Sequence, residues 1–249
     1  KLLCPAASIR RPVMVGVRQQ ERNIAMKERI KKILSDLKSV QEDLLALSDD
    51  LWLDIDHNDN ESIKQGVTFK SDFNQRNSQF TASANALSEL IQNYTNIPLY
   101  SEDENKNSTN HSHSERERII KELNKKESHS LREDFKYKRP FGFVLEDTAY
   151  TNKLTWSEVY IQICTYLQNK NPHLFSSLEN NPDHISNRNN KYFSTKTTEL
   201  RSSQRCGPLI YIEMNLSANQ IRDSIIRLLN TFSIHESKIT IYLREDRDA

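Results

Sequence analysis

Three polar clusters towards the C-terminal end carry side chains able to act on a polyanion. The first is the run Arg188-Asn189-Asn190-Lys191, and the second is Arg201-Ser202-Ser203-Gln204-Arg205. The third is Asn215, Ser217 and Asn219, where an apolar run meets an amphipathic helix. Arginine can hold guanine, and asparagine adenine, through paired hydrogen bonds in the major groove of DNA. Lys191, Arg201 and Arg205 are suited to neutralising phosphates and holding register. A helix start adds unpaired backbone N–H groups and the positive end of its dipole, which favour a phosphate. The competing roles are ordinary ones. Asn215, Ser217 or Asn219 can simply cap that helix, and an Arg/Asn loop can simply be solvated.

Nothing else in the chain asks for catalysis. Glu146, Asp147, Glu158, Asp183, Glu199 and Glu213 lack the clustering that a nuclease needs to hold divalent metal. No nucleophile elbow, P-loop or GxGxxG run is present, in keeping with only four glycines. The oxygen-rich stretch from Asp56 to Asn60 lacks the glycine and final glutamate of a calcium loop, and reads as a turn. His111 and His113 have no partner ligands at zinc-site spacing. Three scattered cysteines, Cys4, Cys164 and Cys206, make neither a disulfide framework nor a zinc site, and fit a reducing cytoplasm. The formal charge of +1 gives no global polyelectrolyte signal. No apolar run approaches the ~20 residues of a membrane span. The expectation is a non-enzymatic protein without metal, cofactor or membrane partner.

The elements that must position the clusters follow from periodicity. Met26, Ile30, Ile33, Leu37, Val40, Leu44, Leu47 and Leu51 alternate spacings of four and three, the a/d stripe of a long helix. A turn follows, and Asn60 is placed to cap a second helix. Phe69, Phe73, Phe80, Ala84, Leu87 and Ile91 recur along that helix, which ends between Tyr94 and Pro98. Residues 26–99 therefore read as an antiparallel helical hairpin. Its stripe must be covered, either by a second copy in a homo-oligomer or by the C-terminal half of the same chain. Residues 1–25 read as a disordered or non-native extension before a natural start at Met26. Residues 100–139 read as a charged flexible linker.

Past Pro140 the composition changes. Phe141–Leu145 reads as a strand, and residues 146–150 as a turn and a second strand. Thr155 and Glu158 form a capping box for a helix with Trp156, Val159, Tyr160, Ile163 and Leu167 on its inner face. A short helix over Pro172–Leu178 follows, then strands at Lys191–Ser194 and Leu209–Met214. The last helix runs from Ala218 to Phe232, with Ile221, Ile225, Leu228, Leu229 and Phe232 inward. Ile239–Leu243 reads as an edge strand. The fold class is mainly α, with a small α+β C-terminal domain of helices and short antiparallel strands over residues 140–249.

The stretch from Asn187 to Thr231 resembles the DNA-binding domain of the SeqA family, the bacterial replication-sequestration proteins that bind hemimethylated GATC sites. In that family a Gly-Arg-Thr-Arg-hydrophobic-Tyr-Phe motif precedes a strand ending in Asn-Thr-Asn-Thr and a last helix. Arg188 matches the first arginine, Tyr192-Phe193 the aromatic pair, and Asn215 the first asparagine. Asn189, Asn190 and Ser217 depart from the family's threonine, second arginine and second asparagine. The resemblance implies a cytoplasmic, nucleoid-associated bacterial protein that binds double-stranded DNA. It implies Arg188 and Asn215 as DNA-binding residues and regulation of replication or a related process as the role; residue type and position add Asn189, Asn190, Lys191, Arg201, Arg205, Ser217 and Asn219. The alternative is a protein-interaction subunit of a bacterial DNA-defence or restriction assembly.

Overall fold

The computed structural model describes residues 14–98, 113–151, 155–186 and 189–245. Helix α1 (Met14–Leu53) and helix α2 (Asn60–Thr95) form the antiparallel hairpin. Asp59, rather than Asn60, caps α2: its carboxylate accepts from the N–H groups of Glu61 and Ser62. Asn96, in the left-handed region at φ 54°, ends it. Helix α1 begins at Met14, so the helix runs unbroken through Met26 and takes in half of the expected extension.

From His113 onward the expected linker is instead part of the C-terminal unit. Helix α3 (His113–Leu123) and strand β1 (Ser128–His129) precede strands β2 (Pro140–Leu145) and β3 (Thr148–Thr151). Leu123, Leu131 and Phe135 are fully buried, which a solvated linker would not allow. The polar composition of 113–139 conceals these few apolar anchors.

Helix α4 (Trp156–Lys170) carries the capping box on Thr155 and Glu158, and helix α5 (Pro172–Ser177) follows it. Strands β4 (Phe193–Ser194), β5 (Ser203–Cys206) and β6 (Ile210–Glu213) form one small sheet in the order β4-β6-β5. Helix α6 (Ala218–Thr231) leads to β7 (Ile239–Leu243). That strand lies between β1 and β2 in the order β1-β7-β2-β3, so it is internal and not an edge. Helix α4 packs against β2 of one sheet and β5 of the other. Its Trp156, Val159, Tyr160, Ile163 and Leu167 are fully buried, as are Ile221, Ile225, Leu228 and Leu229 of α6. Together they form one continuous core.

The hairpin docks on this unit through a polar face of α1. Glu42, only 2% exposed, accepts from the N–H groups of Trp156 (3.2 Å) and Ser157 (2.9 Å) and from the Ser157 hydroxyl (2.7 Å). It thus serves the free N–H groups at the start of α4 from a distant helix. Burial pushes its carboxyl above the ordinary carboxylate range, while the Ser157 bonds and the Lys38 charge oppose that shift. Arg139 forks onto Asp43 at 3.0 and 2.6 Å, Lys136 pairs with Asp50, and the Tyr137 hydroxyl donates to Asp50 at 2.9 Å. The apolar stripe points elsewhere. Met26, Ile33, Val40, Leu47 and Leu51 remain exposed, and the buried positions are Leu34, Ser35, Ser39, Gln41, Glu42, Ala46 and Ser48. Along α2 only Gly66, Asn77 and Ala84 are buried, while Phe69 and Leu87 face out.

Candidate nucleic-acid interface

The centre of the site is the corner between β6 and α6. Glu213 closes β6 with its carboxylate turned inward and 2% exposed. Its two oxygens accept from the backbone N–H groups of Arg201 (2.7 Å), Ser202 (3.2 Å) and Asn215 (2.7 Å). The Arg201 guanidinium stands 3.6 Å from the same carboxylate and donates to the Asn215 carbonyl at 3.3 Å. One buried acid thereby pins the segment before β5 to the segment after β6. The Asn215 side-chain amide is partly exposed and has no hydrogen-bond partner among the described residues.

Ser217 follows as the N-cap of α6, in a reciprocal capping box. Its hydroxyl accepts from the Gln220 N–H (3.4 Å), and its own N–H donates to the Gln220 side chain (3.0 Å). This box arises locally from Ser and Gln three residues apart.

The loop after Ile185 is a tight hairpin. Ile185 bridges Lys191, the N–H of Ser186 donates to the Asn190 carbonyl (2.9 Å), and the N–H of Asn189 donates to the Ser186 carbonyl (2.8 Å). Asn189 takes the left-handed region at φ 61°, which asparagine tolerates better than most residues. The side chains of Asn189 and Asn190 are exposed and unpartnered among the described residues. Arg188 lies outside the described residues.

A cleft of about 620 Å³ brings Asn190, Lys191 and Arg201 together with Tyr192, Gln220 and Arg227. Of the residues expected at a DNA site, Asn189, Asn190 and Asn215 have side-chain amides without a partner among the described residues, and Arg201, though paired with Glu213, keeps its guanidinium half-exposed. Four others are engaged in the fold. Lys191 is held by Glu199 at 2.7 Å and Glu179 at 3.5 Å; Glu199, its closer partner, raises its pKa, so its charge is already countered. Arg205 folds back onto its own turn, donating to the carbonyls of Gly207 (3.1 Å) and Pro208 (2.9 Å). Ser217 is 3% exposed, with its hydroxyl used in the cap. Asn219 accepts from the Phe135 N–H (2.9 Å) and donates to Asp134 (2.8 Å), tying α6 to the chain before β2. The second cluster is also not a loop throughout, since Ser203–Cys206 is strand β5.

Arg227 was not singled out from the sequence. Its guanidinium lies 4.9 Å from the centre of the Tyr192 ring and donates to the Ser224 hydroxyl at 2.9 Å. Its Nε is buried without a partner among the described residues. The available signal was helical spacing: Gln220 and Arg227 stand seven residues, two turns, apart on one face of α6. Behind them His184 packs edge-on to Phe193 and shares a 3.0 Å hydrogen bond with Thr231. Burial, helped by Arg227, lowers its pKa to about 4, so it is neutral at pH 7.

Among the described residues no cluster of His, Cys, Asp and Glu is placed to hold a metal ion, and no helix is long and apolar enough to cross a membrane. Comparison of the chain with protein-family models, curated proteins and solved structures finds no match.

Proposed function

We propose that this protein binds double-stranded DNA through the β6–α6 corner and the adjoining cleft, without catalysing a reaction. The observation that carries the reading is the grouping on one surface of the amides of Asn190 and Asn215, unpartnered among the described residues, with the guanidinium groups of Arg201 and Arg227. Asparagine amides supply the donor–acceptor pair that suits adenine, and the arginines supply charge for phosphates. The start of α6 lies beside them and favours an anion. The resemblance to SeqA, carried by Arg188, Tyr192-Phe193 and Asn215, points the same way. Replication, or a related DNA process, is the proposed role, in a bacterial nucleoid. The test is a titration of the full chain against duplexes containing GATC in unmodified, hemimethylated and fully methylated form. Saturable binding that weakens steeply with salt supports the reading, and no binding to any duplex at low salt refutes it.

The hairpin is proposed to self-associate. Of the fourteen large hydrophobic residues exposed among the described residues, twelve lie on α1 and α2, and only Tyr137 and Leu209 lie elsewhere. Such a concentration marks a surface made to be covered. A different protein of a DNA-defence assembly is the second reading of this face. Sedimentation of the purified chain separates the two, since only self-association raises the mass of the protein alone.

A further inference from the structure

Charge along the hairpin is segregated. Between residues 39 and 59 stand seven acids and no lysine or arginine. Between residues 24 and 38 stand Lys27, Arg29, Lys31, Lys32 and Lys38 against only Glu28 and Asp36. The acidic half is consumed by docking: Glu42, Asp43 and Asp50 all bind the C-terminal unit. Three cations of the basic half have no such use. Lys27, Arg29 and Lys32 are exposed and make no ion pair among the described residues.

The direction of α1 places this basic half beside the proposed DNA site. Leu34 and Lys38 line a polar slot shared with Ser202, Ser203 and Met214, the immediate neighbours of Arg201 and Asn215. Towards its start the helix runs out into solvent, and residues 24–29 are all exposed. Lys32 stands seven residues, two turns, ahead of the buried Ser39, so it lies on the extension of that buried face. Lys27 lies one turn further out. From Lys27 to Lys38 the helix rises about 16 Å, or roughly five base pairs of duplex.

We infer that the basic half of α1 is a second DNA-contacting surface, which grips the sugar–phosphate backbone flanking the site read at the Asn215 corner. This rests on the DNA-binding reading above. The surface reads no bases. It lengthens the footprint and strengthens the electrostatic part of binding, which each phosphate contact contributes independently of sequence. A lysine row is suited to this because each ammonium acts as a point charge that needs no particular base geometry.

The experiment uses the full chain and two duplexes sharing one central GATC site, about 12 and about 30 base pairs long, each titrated over a range of salt. The variant is Lys27→Ala with Arg29→Ala and Lys32→Ala, and the same three positions changed to glutamine form a second variant in case the first is misfolded by circular dichroism. On the long duplex the variant should bind at least tenfold more weakly, and its salt slope should shrink by about 2.7, from three lost contacts at about 0.9 each. On the short duplex it should match the wild type within about twofold. Equal affinity and slope on both duplexes, with wild-type binding intact, overturns this inference and leaves the corner site standing. Wild-type protein that binds neither duplex overturns both. Loss of binding to phosphatidylserine vesicles with unchanged binding to the long duplex assigns the basic half to a membrane surface and overturns the inference.

Discussion

Replacing Glu213 by glutamine tests whether one buried carboxylate organises the proposed DNA-binding corner. Three backbone N–H groups share its two oxygens, at 2.7, 3.2 and 2.7 Å. Glutamine has the same shape but one acceptor oxygen. If that oxygen stays with Ser202 and Asn215, the amide NH2 faces the Arg201 N–H, a donor against a donor. The loss of a hydrogen bond to a charged group costs about 1.5–3 kcal/mol, and a buried donor left unpaired adds about 1–3 kcal/mol. Arg201 also loses the partner that holds it 3.6 Å away. The expected destabilisation is about 3–5 kcal/mol, a large share of the ~5–15 kcal/mol that stabilises a typical domain. Urea denaturation should show a lower midpoint with a similar slope. DNA affinity of the remaining folded protein should fall as well, because Arg201 and Asn215 lose their common anchor. A change below about 1 kcal/mol would refute the organising role, since it would mean that the three donors find other acceptors without cost.

Other outcomes follow from the same contacts. Val40→Asp with Leu47→Asp, both at exposed positions, should leave stability nearly unchanged but dissociate the oligomer in sedimentation; a wild-type chain that is monomeric across the micromolar range contradicts this. Glu42→Ala strands three donors at the start of α4 and should cost about 3–5 kcal/mol in chemical denaturation; an unchanged midpoint would show that the hairpin docks without it. His184 has a folded pKa of about 4 against an ordinary 6.5, so the unfolded chain takes up its proton first as pH falls. Its contribution is therefore fully present above pH 6.5 and is lost between about 6.5 and 4, by roughly 3 kcal/mol. Thermal melts of wild type and His184→Gln should diverge above that window and converge below it, and parallel profiles would remove His184 as a source of acid sensitivity.

The parts of the fold legible in the sequence are those fixed by neighbours a few residues apart. The capping box of Thr155 and Glu158, and the inner faces of α4 and α6, needed only local spacing. What was hidden depends on distant partners. Buried α1 positions include Ser35, Ser39, Gln41 and Glu42, which hydropathy counts as solvent-facing; Glu42 acquires its role from Ser157, 115 residues away. Strand β5 has polar residues on both faces, so no alternation announces it. Asn219 has the composition of a DNA contact but is bound by Phe135 and Asp134, which the sequence reading had placed in a linker. Ile239–Leu243 has the alternation of a strand, but its internal place requires β1, whose two residues carry no pattern at all. At the candidate site, residue type picked out Asn190, Arg201 and Asn215. Only packing distinguished the unpartnered amides of Asn190 and Asn215 from Lys191, Arg205, Ser217 and Asn219, whose groups are engaged within the described residues.

The proposed DNA site stands or falls with Asn215. The most direct measurement is the anisotropy of a labelled GATC duplex titrated with wild type, Asn215→Ala and Arg205→Ala, with thermal stability recorded for each. The Asn215 amide has no partner to lose among the described residues, so Asn215→Ala should be as stable as wild type and should bind more weakly by about 1–3 kcal/mol. Arg205→Ala, whose guanidinium is turned onto its own hairpin, should bind nearly as wild type does. Undiminished affinity in Asn215→Ala, or a destabilised protein whose folded fraction binds normally, would contradict that site.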